Sequence, residues 1–288
     1  MYIYINGSIV KQEEAVISVF DHGFMYGLGL FETFRIYDGH PFLLDDHLER
    51  LNRGLKLLNI DQFFIREDVN NIIQALLKKN DLKNAYIRFN VSAGSGAIGL
   101  QTDPYMQPNI VMFIKPLPEA GGMIEKQGEV LTIPRNTPEG NERLKSHHYL
   151  NNILAKREIG SGLEIEGVFL TKEQHLAEGV TTNLFWVKNN ILYTPCIETG
   201  ILNGITRQFI MAYAKHIGMT VEEGFYFIEE VKQAEEVFAT NSIQEIIPLK
   251  SINNHLFDGA VGKVVSSFHK EYRRLSGSLW SIKEMEGK

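Results

Sequence analysis

The segment "LDDHLERLNRGLKLL" (Leu44–Leu58) carries leucines at alternating spacings of four and three residues. That spacing is typical of an amphipathic helix, and the charged residues Asp45, Glu49 and Arg50 lie off its apolar stripe. The segment follows "FETFRIYDG" (Phe31–Gly39), where β-branched and aromatic residues lead into an Asp-Gly pair, as in a hairpin strand. A helix directly behind a hairpin strand predicts a mixed α+β fold.

The rest of the chain extends this mixture. The predicted strands are 2–7, 31–39, 85–94, 109–115, 129–134, 166–171, 181–190, 191–195 and 235–241, and the predicted helices are 44–58, 67–79, 149–160, 206–218 and 261–275. The aperiodic stretch "PLPEAGGMIEKQG" (116–128) is rich in turn residues and is the best linker candidate. We therefore expect a small α+β domain at 1–118, a linker at 119–128 and a larger α+β domain at 129–288.

Composition favours a role with small molecules. The 288 residues are 44% hydrophobic and 22% charged, which is typical of a globular protein. A net charge of -6 is too mild and too well mixed to recruit nucleic acid or an anionic membrane. Cys196 is the only cysteine, so no internal disulfide can form, and no long apolar run or leader pattern indicates a membrane segment. These features predict a cytoplasmic protein.

Lys145 lies in the segment "NTPEGNERLKSHHYLNN" (Asn136–Asn152), where a serine, two histidines and a tyrosine follow it directly. Turn residues precede it and a predicted helix follows it. A lone lysine is usually a solvated surface charge, but a desolvated lysine amine can act as a nucleophile toward an aldehyde. The adjacent His147 and His148 project in different directions, and no other ligands stand at metal spacing, so a zinc site is not expected.

Four other segments could serve an aldehyde that carries a phosphate. Arg50 could bind a phosphate in a bidentate manner, and the helix that opens near Ile205 and Thr206 offers free N–H groups. "VFATNS" ends a strand at Ser242, and Glu178 precedes a strand into the core, where a carboxylate needs a cationic or proton-bearing partner. Taken singly, these are also compatible with a helix charge, a helix cap, a strand end and a hairpin carboxylate. The Gly-rich "AGSGAIG" (93–99) fits no nucleotide motif and predicts a mobile turn or active-site loop.

Six motifs occur in order: "YGLGLFETFRIYDG", "HLERL", "RLKSHHYLNN", "AEGVTTNLFW", "GILNGITRQF" and "VFATNSIQEIIP". Together they resemble the class IV aminotransferase family of pyridoxal phosphate enzymes, which includes branched-chain and D-amino-acid aminotransferases and aminodeoxychorismate lyase. The resemblance extends from about Tyr2 to Pro248. It implies the two-domain α+β fold of that family, pyridoxal 5'-phosphate as cofactor, and a homodimer acting on a small molecule.

Residue by residue, the resemblance implies that Lys145 condenses with the cofactor's aldehyde and that Glu178 pairs with the pyridinium nitrogen. It also implies that Tyr149 lies near the cofactor's phenolic oxygen. The implied phosphate-binding groups are Arg50, the backbone of Ile205 and Thr206, and Ser242. The positions that match substrate-side residues are Tyr26, Phe31, Tyr86 and Arg88.

Thr33 indicates which reaction the family resemblance implies. Branched-chain enzymes typically read Phe-Glu-Gly where this chain reads Phe31-Glu32-Thr33, and the family's lyases carry a threonine there. The implied activity is conversion of 4-amino-4-deoxychorismate to 4-aminobenzoate and pyruvate in folate biosynthesis, with Lys145 and Thr33 as catalytic residues. Arg88 is a candidate anchor for a substrate carboxylate. The alternatives are a branched-chain or D-amino-acid aminotransferase, and a non-catalytic α+β module in which Lys145 is solvated.

Overall fold

A computed structural model describes residues 1–287, and the chain divides into two compact units. Unit 1 contains Met1–Gly121, Leu144–His148 and Ser276–Glu284, and unit 2 contains the remaining residues. The first long segment of unit 1 ends inside the stretch 119–128 that the sequence indicates as a linker. The short return of residues 144–148 to unit 1 brings Lys145 into contact with the N-terminal strands.

Unit 1 is built on an antiparallel sheet with the strand order β2-β1-β6-β5-β3-β4. Its elements are β1 (Tyr2–Ile5), β2 (Ser8–Lys11), α1 (His22–Tyr26), β3 (Gly29–Tyr37), β4 (His40–Pro41), α2 (Leu44–Leu57), α3 (Arg66–Asn80), β5 (Ala85–Ser92) and β6 (Asn109–Pro116). The Asn6-Gly7 and Asp38-Gly39 pairs join β1 to β2 and β3 to β4, and all four residues have positive φ. Such turns match the twist of hairpin strands, so the predicted hairpins are confirmed.

The core of unit 1 lies between this sheet and helices α2 and α3. The leucines of the predicted stripe at positions 44, 48, 51 and 55 are buried, and they belong to one cluster with Leu30, Phe34 and Ile36 of β3. Because side chains alternate along a strand, Phe31 and Thr33 lie on the other face of β3. The amphipathic helix is confirmed, and its packing fixes which face of the sheet is left for chemistry.

Residues 144–148 run beside the start of β3. The Phe31 N–H donates to the Lys145 carbonyl at 2.9 Å, and the His147 N–H donates to the Gly29 carbonyl at 3.0 Å. This edge of β3 is available because β4 pairs only with Ile36 and Tyr37 at the far end of the strand. The sequence-based division assigns Lys145 to the second domain, whereas in the structure this pairing groups it with unit 1.

Unit 2 contains a mixed sheet whose central strands close into a ring. Its elements are β7 (Lys126–Val130), α4 (Leu150–Ile159), β8 (Ile165–Leu170), β9 (Leu176–Gly179), β10 (Asn183–Lys188), β11 (Ile191–Pro195), α5 (Ile205–His216), β12 (Thr220–Gly224), α6 (Ile228–Val231), β13 (Glu236–Asn241), β14 (Glu245–Ile252), β15 (His255–Leu256) and α7 (Lys263–Leu275). The order β10-β13-β14-β7-β8-β9 returns to β10 where Glu178 pairs with Asn183. A strand ring of this kind has no free edge at its closure.

One predicted strand of unit 2 is wrong in its bounds. The sequence predicts a strand at 129–134, but β7 covers Lys126–Val130. Beyond it, the N–H groups of Thr132 and Ile133 donate to the Glu158 carboxylate and not to a neighbouring strand. None of the helices within residues 1–287 is both long enough and apolar enough to cross a membrane.

Candidate active site

Lys145 lies against the ring of Phe31 in unit 1. Its Nζ is 4.8 Å from the ring centroid, and the guanidinium carbon of Arg88 is 3.7 Å from the same centroid. Phe31 is buried, so both cations contact an apolar, π-rich surface. A second cation and an apolar wall are the surroundings in which a lysine amine can serve as a nucleophile or base.

Four of the predicted substrate-side and catalytic residues share one face of the unit 1 sheet. Thr33 pairs with Arg88 across β3 and β5, and Phe31 lies two residues earlier on the same face. Tyr86 lies two residues before Arg88, opposite Arg35. Tyr26 is not on this face, since it belongs to α1, where its hydroxyl accepts a hydrogen bond from the Gly99 N–H at 2.8 Å.

The opposite face of β3 holds a buried ion pair. The Glu32 carboxylate accepts from Nε and Nη2 of Arg50 at 2.8 and 2.6 Å, and from Nδ1 of His47 at 2.7 Å. Burial alone would raise the pKa of Glu32, but Arg50 and His47 outweigh it and lower that pKa to about 2. Burial lowers the pKa of His47 despite the carboxylate beside it. The cluster is therefore an ionised glutamate held by one charged and one neutral donor.

His147 packs two residues from Lys145. Its ring stacks on Phe31 with centroids 6.2 Å apart, and a Cβ added at Gly29 would lie 2.5 Å from its Cε1. Burial, reinforced by Arg88, lowers the pKa of His147 to about 4. Among residues 1–287, its buried Nε2 has no hydrogen-bond partner. The imidazole is thus neutral at pH 7 and fits only because residue 29 has no side chain.

Glu178 is a buried carboxylate of unit 2, and the structure supplies its cationic partner. Nε and Nη2 of Arg135 are each 2.8 Å from its Oε1, and Nε of Arg143 is 4.0 Å away. Its Oε2 accepts from the Asn183 side chain at 3.3 Å and the Leu202 N–H at 3.0 Å. Burial and Arg135 lower the pKa of Arg143 to about 10. Sequence reasoning missed both arginines, because nothing in the local pattern marks a contact 43 residues away.

The loop that contacts Glu178 leads into helix α5, the predicted anion pocket. The helix begins at Ile205 as expected, and within the described part of the chain no side chain caps it at Gly204. The Thr206 hydroxyl lies 3.2 Å from that of Ser242, so these two predicted residues are together. A Cβ at residue 204 would lie 2.1 Å from the Asn183 Oδ1. Free N–H groups and paired hydroxyls at a helix start form a donor set for a phosphate.

Tyr149 is half-buried and stands at the N-cap position of α4, at the end of the segment that carries Lys145. In the same unit, the buried hydroxyl of Thr240 has no hydrogen-bond partner among residues 1–287. Thr240 lies two residues before Ser242, and it is a polar group that the sequence interpretation did not single out. Over that same range, no three His, Cys, Asp or Glu side chains are grouped as metal ligands.

Comparison with known proteins was decisive for the family. The model of the amino-transferase class IV family matches residues 29–252. This chain belongs to the class IV aminotransferase family. It is 46% identical over 274 residues to the aminodeoxychorismate lyase of Bacillus subtilis, with 94% of each chain covered. It is 27% identical to the D-alanine aminotransferase of Bacillus licheniformis, covering 93% of this chain and 94% of the relative.

A solved structure agrees with this assignment. The branched-chain aminotransferase of Thermoproteus uzoniensis, crystallised with norvaline, superposes with a TM-score of 0.87 at 27% identity, covering 98% of this chain and 97% of that one. The predicted α+β fold of the family is therefore confirmed. Class IV enzymes use pyridoxal phosphate, and the polar groups described above fit it. The uncapped start of α5 suits a phosphate, Glu178 suits a ring nitrogen that carries a proton, and Lys145 suits an aldehyde.

Proposed function

We propose that the protein is a pyridoxal phosphate-dependent aminodeoxychorismate lyase, which converts 4-amino-4-deoxychorismate to 4-aminobenzoate and pyruvate. The observation that carries the proposal is 46% identity to the Bacillus subtilis lyase across nearly the full length of both chains. The position of Thr33 beside Arg88 supports it, because a hydroxyl and a guanidinium on one sheet face can serve a substrate that carries carboxylates.

The proposal assigns a role to each predicted cofactor residue. Lys145 would bind the aldehyde, Glu178 would pair with the pyridinium nitrogen, and Tyr149 would contact the phenolic oxygen. The groups that would hold the phosphate are Arg50, the N–H groups of Ile205 and Thr206, and the Ser242 hydroxyl. When bound, the cofactor supplies an electron sink for charge released at the substrate carbon that bears the nitrogen.

The chain's own residues then move protons at two atoms. Once the amino group of the substrate has taken its place, the free Lys145 amine removes the proton from the ring carbon that carries the amino group. The C–O bond at the neighbouring ring carbon breaks, and its electron pair leaves with the oxygen of the enolpyruvyl group. The Thr33 hydroxyl, or a water that it orients, protonates the enol carbon and gives pyruvate. Arg88 holds a substrate carboxylate, while Phe31, Tyr86 and Tyr26 surround the substrate ring.

Formation of an aromatic ring drives this elimination, so no second keto acid is needed. The test is to incubate the purified protein with 4-amino-4-deoxychorismate and to measure 4-aminobenzoate by its fluorescence and pyruvate by a coupled assay. Equal amounts of both products are expected. Release of neither product by protein that carries the cofactor would refute the proposal.

The second candidate is an aminotransferase for branched-chain or D-amino acids. It is favoured by the likeness to the Thermoproteus and Bacillus licheniformis enzymes, and it uses the same residues around the cofactor. Incubation with an amino acid and 2-oxoglutarate distinguishes the two. Rapid exchange of the amino group, without pyruvate release from aminodeoxychorismate, would select the aminotransferase.

The proposed enzyme is a cytoplasmic homodimer in folate biosynthesis. The segment before and within α1 exposes Val16, Val19, Phe20 and Phe24, each at least half accessible in the single chain. Apolar side chains in such number on one short stretch are typical of a surface that another protein covers. Sedimentation should give twice the mass of the chain, and charged substitutions at Phe20 and Phe24 should give the single-chain mass.

A further inference from the structure

Glu32 is a buried carboxylate that the proposed reaction does not use. It is 1% exposed, lies between Phe31 and Thr33 on β3, and contacts Arg50 and His47 of α2. Arg50 and His47 are three residues apart and therefore project from the same side of the helix. A single carboxylate thus joins the strand that carries Thr33 to the helix that carries Arg50.

Stability alone does not account for this arrangement. Transferring a carboxylate and a guanidinium out of water costs several kcal/mol, and apolar residues of similar volume would often serve as well. The surroundings are suited to such residues, because Leu30 and Phe34 on the same face of β3 belong to the apolar core. An ion pair retained among those side chains is better explained by what it holds in place.

The contact between Glu32 and Arg50 restrains the orientation of the guanidinium. Glu32 binds Nε and Nη2 of Arg50 through its two oxygens, which fixes the plane of the guanidinium. The hydrogen bond from His47 restrains Oε2, the same oxygen that accepts from Nη2. His47 is itself held against Phe34, with ring centroids 5.2 Å apart. The carboxylate is therefore held firmly on one side and holds the arginine on the other.

Two effects of Glu32 on a bound phosphate oppose each other. Its negative charge repels a phosphate dianion, whereas its bidentate contact holds the Arg50 fork in one orientation, so that less entropy is lost when the phosphate binds. A shorter carboxylate separates the two effects, because it keeps the charge and loses the two-point contact.

We propose that Glu32 is a positioning residue that orients Arg50 toward the phosphate of the cofactor. The inference rests on the proposed function, in which Arg50 contacts that phosphate. It predicts that Glu32 matters for pyridoxal phosphate and not for pyridoxal, which carries the same aldehyde and ring without the phosphate.

The experiment compares Glu32→Asp with the wild type as apoenzymes. The dissociation constants for pyridoxal phosphate and for pyridoxal are measured by titration of the absorbance or fluorescence change. Glu32→Asp should raise the constant for pyridoxal phosphate about tenfold, the effect of one well-placed charge-assisted contact, and leave that for pyridoxal within about twofold. Glu49→Asp is the matched control, since it makes the same change at a 65% exposed carboxylate one residue from Arg50, and it should change neither constant.

A double-mutant cycle tests whether Glu32 acts through Arg50. In an Arg50→Lys background the planar fork is absent, so Glu32→Asp should have little further effect on pyridoxal phosphate binding. If Glu32→Asp does not fold, a pair at His47 replaces it. His47→Leu removes the donor to Oε2 and should weaken pyridoxal phosphate binding alone, whereas His47→Asn retains a donor and should weaken it less.

The outcomes separate this inference from the proposed function. If the wild type binds neither compound, the proposed function fails. If the wild type binds both and Glu32→Asp leaves the pyridoxal phosphate constant unchanged, or raises both constants equally, the positioning role is overturned. An undiminished effect of Glu32→Asp in the Arg50→Lys background would also overturn it.

Discussion

Replacing His147 should remove a component of the protein's sensitivity to acid. The ring is packed against Gly29 and Phe31, and burial together with Arg88 lowers its pKa from 6.5 to about 4. In the unfolded chain the imidazole takes up a proton below about pH 6.5, whereas in the folded chain it stays neutral until about pH 4. The stabilisation is therefore present above pH 6.5 and is lost as the pH falls toward 4.

The shift gives the size of the effect. Between pH 7 and pH 5 the unfolded state gains most of one proton that the folded state does not bind. For a site fully shielded from water, this would lower the free energy of unfolding by about 2 kcal/mol. Because the ring is half-buried, solvent reduces this to roughly 1 kcal/mol or slightly more. The variant His147→Phe keeps an aromatic ring beside Phe31 and cannot titrate.

Urea unfolding of both proteins at pH 7, 6 and 5 measures the difference. The cofactor is removed first, so that its release adds no pH dependence, and two spectroscopic probes check that the transition is cooperative. The wild type should lose roughly 1 kcal/mol more than His147→Phe over this range. Parallel loss of stability in the two proteins would refute the assignment of a neutral, half-buried His147.

Three further predictions concern the reaction and the cofactor. Lys145→Ala should abolish product formation while the far-ultraviolet spectrum stays unchanged, and retained turnover would exclude the lysine as base and aldehyde ligand. Thr33→Gly should slow pyruvate release about a hundredfold, as for loss of a general acid, and should reveal amino-group exchange; unchanged kinetics would remove Thr33 from the mechanism. Gly204→Ala should weaken pyridoxal phosphate binding at least tenfold, because its Cβ would displace Asn183 from Leu202 and Glu178, and an unchanged dissociation constant would contradict this account of the α5 start.

Local pattern predicted much of the fold. The leucine spacing of α2, the Asn-Gly and Asp-Gly turns of unit 1 and the start of α5 at Ile205 all follow from short-range chemistry, and the structure has them where the sequence places them. The closure of the ring in unit 2 could not be predicted, because it requires β14 to pair with β7, and Leu249 and Lys126 of that pairing are far apart in sequence. Strand β14 was also missed, because its sequence contains Pro248, and a proline argues against a strand when only the local pattern is available.

In the candidate site, too, residues with a local sequence signal could be predicted and residues defined by long-range contacts could not. Motif resemblance pointed to Lys145, Glu178 and Thr206, each of which has a local signature. It did not reveal Arg135 or His47, whose significance lies in a contact made through space. A buried carboxylate in a sequence signals that a partner exists, but spacing does not identify it.

Both units contain an ion pair between a glutamate and an arginine. The pairs are Glu32 with Arg50 in unit 1 and Glu178 with Arg135 in unit 2. Each glutamate is buried and lies on a strand, and each carboxylate accepts a further hydrogen bond from a neutral side chain. Buried ion pairs of this kind add little net stability, because desolvation offsets most of their attraction. Because Glu32 and Glu178 also lie where the proposed chemistry needs a fixed charge, orientation of that charge accounts for these two pairs better than stability does. We therefore expect replacement of either glutamate by aspartate to reduce the free energy of cofactor binding more than it reduces the free energy of unfolding.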